Sequence, residues 1–344
     1  MKRLFTYMLS GALFFALAAE TGCTKEALDH YKNEGFVDLE LTWPEGAAPK
    51  GTRVHFYPVS AEGEALTAAE GEQAPAYQSF DCDATGFQNK RLPVGSYKVL
   101  VYNSDTENLV LRDETDYDKA TFHVMTESEA AAAGRKSAST RAGECITQPK
   151  NLFVANCVQD PANGQQLSVV TVPFRERVAV KAQPKAYVKT VILRFKVEGS
   201  DMIALNGGTF IGVSPSHHCA TAMCASTSES VNFPTERIFD NSGYDYKAEF
   251  TVLDLVKPTS TFGTHTVKLN IVPIDGDPYI VSADVTKTVD QFLRDNGGVI
   301  PVTIPVEVAI ELKKIGGVLT AEVKDWVPGT GGGTIGDPVE NVVL

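Results

Sequence analysis

Apolar residues recur at every second position in short runs along most of this chain, and that alternation predicts strands. From Tyr97 to Asn103, Tyr97, Val99 and Val101 alternate with Lys98, Leu100 and Tyr102. Both sides carry apolar groups, the pattern of an interior strand covered on two faces. Pro93 and Gly95 just before it predict a tight turn, because proline fixes φ and glycine admits positive values. Phe80 to Asn103 therefore reads as strand, turn, strand. Nearer the start, Val37, Leu39, Leu41 and Trp43 share one face opposite Phe36, Asp38 and Glu40. Further strands are predicted over 52–59, 77–82, 107–112 and 119–124, with turn-forming residues between them.

The pattern breaks at Thr126 to Gly143, where small and charged residues replace β-formers. Ser128 to Ala133 suit a short helix. Alternation resumes over 152–158, 167–174, 177–183, 187–199, 246–255, 264–274, 279–285, 302–312 and 318–327. A long irregular loop is predicted around His217 to Cys224. Val289, Phe292 and Leu293 fall at helical spacing within 286–296, and Gly297-Gly298 would stop that helix. The predicted fold is all-β: two tandem β-sandwich domains, over 36–125 and 145–327, joined by a linker at 126–144. A Gly-rich tail covers 328–344.

The set GFVDLELTW, TRVHFYPV, LPVGSYKVLVYN and AEVKDWVPG changes the picture. Leu-Pro-x-Gly-x-Tyr before Val-x-Val-Tyr-Asn resembles the strand pair of transthyretin-like β-sandwiches. Together the motifs resemble Bacteroidales cell-surface lipoproteins related to fimbrillins and to the anchor or minor subunits of type V pili. The resemblance implies a structural role in a surface assembly, other pilus subunits as partners, no cofactor and no enzyme activity. The fimbrillins it resembles are matured by an Arg-directed protease near their N-terminus, whereas Arg135 and Arg141 here lie in the linker, as exposed protease sites in principle.

Composition bears on the compartment. The 344 residues favour two domains, and a formal net charge of -12 argues against nucleic-acid partners. Lys2 and Arg3 precede an apolar run too short for a membrane span, the layout of a signal peptide over 1–22. Thr21-Gly22-Cys23 then reads as a lipoprotein cleavage site, with Cys23 carrying the lipid and 23–35 serving as a tether to the outer membrane. Glu20 stands where such sites usually carry leucine, and cleavage by an ordinary signal peptidase near Ala18-Ala19 is the alternative.

Five further cysteines cannot all pair. Cys145 with Cys157, and Cys219 with Cys224, are local disulfide candidates for an oxidising compartment, and Cys82 suits a small core residue. His217, His218, Cys219 and Cys224 lack zinc-knuckle spacing, so no metal is expected there. Asp113 to Asp118 reads as a solvated acidic loop and Asp275-Gly276-Asp277 as a hairpin turn. Trp43, Tyr57, Tyr97 and Trp326 sit in strand patterns, which favours core packing over a sugar-stacking platform. No Gly-x-Ser-x-Gly, His-Glu-x-x-His or phosphate-loop pattern occurs. The rival function is a carbohydrate-binding surface lipoprotein of a glycan-uptake system. Val339 to Leu344, apolar after a Gly-rich linker, is expected to pair with a sheet edge, at home or in a neighbour.

Overall fold

A computed structural model describes residues 33–47, 49–66, 76–135, 145–258, 263–315 and 318–324. Cys23, Arg141, Trp326 and the tail from 328 lie outside the described residues.

In chain order the first half holds β1 (Glu34–Leu41), β2 (Thr52–Val59), β3 (Gln78–Cys82), β4 (Gly86–Pro93), β5 (Gly95–Asn103), β6 (Leu109–Arg112), β7 (Thr121–Val124) and helix α1 (Glu127–Ala132). Next come β8 (Phe153–Ala155), β9 (Val158–Gln159), β10 (Gln166–Leu167), β11 (Val170–Val172), β12 (Arg177–Ala182) and β13 (Lys185–Ala186). The remainder comprises β14 (Lys189–Val197), β15 (Ile203–Val213), β16 (Ser216–His218), β17 (Glu229–Phe233), β18 (Glu236–Arg237), β19 (Tyr246–Val252), β20 (Thr266–Pro273), β21 (Tyr279–Asp284), helix α2 (Thr286–Asp295), β22 (Val306–Ile315) and β23 (Val318–Lys324).

The fold is all-β, two sandwiches in tandem. The first packs the sheet β10-β9-β12-β1-β4 against β13-β8-β5-β2-β3, with β11 also paired to β5. Val37, Leu39 and Leu41 of β1 point into the core with Phe56, Val99, Val101 and Val180. β5 is interior, as its two-sided pattern predicts, and pairs with β2 along its length. The second sandwich packs β18-β19-β14-β22-β23 against β17-β15-β20-β21. Helix α2 buries Val289, Phe292 and Leu293 in its core. Thr126 and Glu129 form a reciprocal capping box that starts α1.

Three expectations need correcting. First, the boundary does not fall at 126–144. Strands β8 to β13, expected in the second sandwich, complete the first. β12 lies parallel to β1, from Phe36 opposite Arg177 to Leu41 opposite Ala182. Without it, β1 would present a bare row of peptide groups. Alternation marks which face of a strand is buried but carries no label for its partner.

Second, the 93–95 turn is a corner between sheets, not a hairpin. β4 pairs with β1 in one sheet while β5 pairs with β2 in the other. The hydroxyl of Tyr97 donates to the Pro93 carbonyl at 2.7 Å, which locks the corner and accounts for the Leu-Pro-x-Gly-x-Tyr spacing. Third, the predicted loop is irregular only from Cys219 onward, and its start at Ser216 to His218 is a strand. β16 pairs with β7, and β7 with β6, in a small sheet made from both halves of the chain.

One continuous apolar cluster therefore crosses the junction. Tyr57, Leu100 and Tyr102 from the first sandwich join Phe122 and Val124 of β7 and the second core around Phe210 and Phe250. Trp43 is only half-buried; its indole N–H donates to the Ala84 carbonyl at 2.7 Å and its ring meets Phe153 edge-on.

The shared core predicts that the sandwiches unfold together. Phe122→Ala, which empties a buried site at the junction, is expected to cost about 3–5 kcal/mol and to shift one cooperative calorimetric transition. Two separate transitions, only one of them moved, would show independent domains.

Candidate functional site

Several of the chemistry-bearing side chains among the described residues gather at the junction. β2 and β5 turn His55, Tyr57 and Tyr102 away from the first core toward the β6–β7 loop. Tyr57 donates to the Glu114 carbonyl at 2.9 Å, so its oxygen is left to accept from His55 Nδ1 at 3.1 Å. Nε2 of His55 is then the acceptor for the Tyr102 hydroxyl, 3.3 Å away. This fixes a neutral imidazole with the proton on Nδ1. Burial pushes the His55 pKa down to about 4, consistent with that form. Tyr77 stacks on Tyr57 and donates to the Glu114 carboxylate at 3.2 Å.

The acidic run 113–118 is a cap over this cluster. Tyr117 is buried and donates to the Asn156 carbonyl at 2.8 Å. Lys98 pairs with Asp118 at 3.1 Å and lies over the Tyr117 ring. The sequence reading of a solvated loop holds for the carboxylates and fails for Tyr117, whose ring reads as an ordinary turn residue until its packing partners are known.

His217 is buried edge-on against Tyr187, ring centres 4.1 Å apart. His218 points outward, its Nε2 2.8 Å from the Asp118 carbonyl. Cys219 drops into the core, with its backbone N–H donating to Ala120. Cys224 lies in the returning segment, bridged to His217. Neither expected disulfide forms: Cys82, Cys145, Cys157, Cys219 and Cys224 are all free thiols. Cys145 packs beside Asn232 and Glu127, whereas Cys157 accepts from Gln166, so the first pair faces different neighbours. Among the described residues no group of three or more His, Cys, Asp or Glu converges as a metal site. Asp275 to Asp277 forms the β20–β21 hairpin turn.

Open clefts mark the described surface, and two of them are lined by carboxylates. One, of 480 Å³, lies over the first sandwich beside Asp38, Glu40 and Phe87. Asp38 accepts from the Asn89 N–H and Glu40 pairs with Lys181. The other, of 570 Å³, lies beside Lys196, Asp240, Tyr244 and Asp245. Asp245 accepts from the Val197 N–H at 2.7 Å and Asp240 from the Ser242 N–H. These carboxylates are committed to backbone and ion-pair contacts, which suits structural work. Tyr57 and Tyr97 likewise pack inside, so these two rings form no part of an exposed platform.

Architecture and surface thus define an all-β protein of two fused sandwiches. A crystal structure of a Bacteroides ovatus protein, provisionally described as an adhesin, shares this fold at a TM-score of 0.54, with 19% identity over 90% of this chain and 99% of that one. The chain belongs to the DUF5119 family, a domain of unknown function whose pattern matches residues 22–234. It is also 34% identical over 110 residues to a Bacteroides ovatus protein provisionally named a fimbrium anchoring subunit. That match spans 31% of this chain and 28% of the relative. The fimbrial anchor protein Mfa2 of Porphyromonas gingivalis aligns at a TM-score of 0.48 and 11% identity, over 85% of this chain and 98% of its own.

Burial holds His55, His217 and His265 near a pKa of about 4, against an ordinary value of 6.5. Between these limits the unfolded chain binds protons that the folded chain refuses. Stability is therefore complete above pH 6.5 and declines as pH falls toward 4. Neither ring nitrogen of His265 makes a hydrogen bond, so His265→Leu is expected to flatten this decline in urea midpoints. An unchanged slope would remove His265 from the account. Thiol titration of the unfolded Cys23→Ser chain is expected to find five reactive groups without reductant, and fewer would show a disulfide.

Proposed function

We propose that this chain is a non-enzymatic structural subunit that anchors a fimbria-like assembly at the cell surface, held to the outer membrane by lipid on Cys23. The observation that carries this reading is the 34% identity to a relative named as a fimbrium anchoring subunit. The junction supports it physically. An anchor must carry tension from a partner to a membrane, and a sandwich pair joined only by a linker would swing. Here a shared core and cross-strand pairing at β7–β16 join the two. The contact with other subunits is protein–protein, and candidate strand edges are available at β3, β17 and β18.

Deleting the gene in the source bacterium tests the role. The expected result is fimbriae shed into the medium and lost from cells, restored by the wild-type chain. Cys23→Ser is expected to release the protein from membranes and to fail in that rescue. Fibres that remain cell-bound at normal number after deletion would refute the anchoring role. Selective loss of growth on one glycan would instead favour the carbohydrate-binding reading.

A further inference from the structure

We propose that the free end of the first sandwich, built on Leu66, Val94 and Phe174, sits in the interfacial layer of the membrane that carries the chain's own lipid. The proposal rests on the reading of Cys23 as lipidated.

Three turns meet at that end. Val59 of β2 lies opposite Ser96 and is bridged to Ala65, which brings Leu66 there. Val172 lies opposite Gly95, which places the 173–176 turn beside the 93–95 corner. Both turns grip the first described residues. Val94 N–H donates to the Asn33 carbonyl at 2.7 Å and Arg175 N–H to Glu34 at 2.9 Å. Phe36 N–H donates to Glu176, also at 2.9 Å. Gly35 is pressed against this turn so closely that a Cβ there would lie 2.2 Å from the Pro173 oxygen. The chain arrives at the fold through the centre of this end.

The tips of these turns are apolar. Leu66 is 39% exposed, Val94 44% and Phe174 46%. The guanidinium of Arg175 lies over the Phe174 ring at 4.9 Å, an aromatic–cation pair suited to the headgroup level. Among the described residues nothing covers these side chains fully. What lies beyond them is fixed by the tether: nine residues, Thr24 to Lys32, separate Cys23 from Asn33. Fully extended they reach about 30 Å, so this end is confined near the bilayer. A short link of this kind raises the local lipid concentration enough for a few weak apolar contacts to be populated.

Charge does not supply the attraction. Glu34, Glu62, Glu64 and Glu176 surround the tip. They would repel anionic lipid and keep insertion shallow, so the contact is expected on zwitterionic lipid and insensitive to salt.

The test uses the full lipidated chain in phosphatidylcholine vesicles with brominated acyl chains, which quench tryptophan on contact. Phe174→Trp, and Val94→Trp as a second reporter, are expected to lose emission beyond the loss seen in the parent protein. Phe239→Trp, at an exposed turn of the second sandwich, is expected to lose none. Circular dichroism and melting establish that each variant is folded. If the chain floats with the vesicles and neither reporter is quenched beyond Phe239→Trp, the membrane contact is refuted and the lipid anchor stands. If the chain does not float, the anchor reading fails and this proposal fails with it.

Discussion

The pairing of β16 with β7 is the contact on which the molecule's unity depends. Ser216 to His218 are contributed by the second half of the chain and His123 to Thr121 by the first. Once these strands are in register, Phe122 and Cys219 face inward, and the two apolar cores become one. The polar groups follow from that contact. His218 reaches Asp118, Asn156 reaches the carbonyls of Cys219 and Ala220, and Asn232 reaches Glu127. Each such bond ties a residue of one half of the chain to a residue of the other. At a buried junction each needs a partner, because an unpaired buried polar group costs about 1–3 kcal/mol.

Much of the fold was legible in the sequence, and the limits are physical. The strands at 34–41, 52–59 and 95–103, and the helix from Thr286, follow from short-range periodicity, which directly records which side of an element is buried. Long-range partners leave no such record. β1 pairs with a strand some 140 positions later, a choice set by the whole sheet, so the domain boundary was misplaced. β16 is three residues long, too short for alternation to register. The junction cluster was half visible: Tyr57 and Tyr102 appeared as strand residues, but His55 gave no sign that its two nitrogens would each meet a tyrosine. The signal that could have found it is the two-sided apolar pattern of Leu100 and Tyr102, which needs a covering layer beyond the first sandwich.

Structural use of chemically capable residues is the common theme of the surface and junction. Glutamate, histidine and cysteine are present in number, yet their polar atoms cap turns, close ion pairs or lie in apolar surroundings. Burial raises the Cys219 and Cys224 thiols to about 12, which suppresses the reactive thiolate and lets free cysteines persist as small core residues. The same burial keeps His55, His217 and His265 neutral. These groups contribute shape and directed hydrogen bonds rather than reactivity.

The parallel alignment of β1 with β12 also governs when the protein can fold. A chain delivered from its N-terminus presents β1 first, yet the neighbour that covers its edge ends at Ala182. Until more than half of the polypeptide has arrived, the first sandwich has no closed sheet. Non-local pairings of this kind close slowly, because loop entropy is lost before contacts repay it. The first sandwich therefore stays open while the chain is being delivered and becomes rigid only once β12 has arrived beside β1.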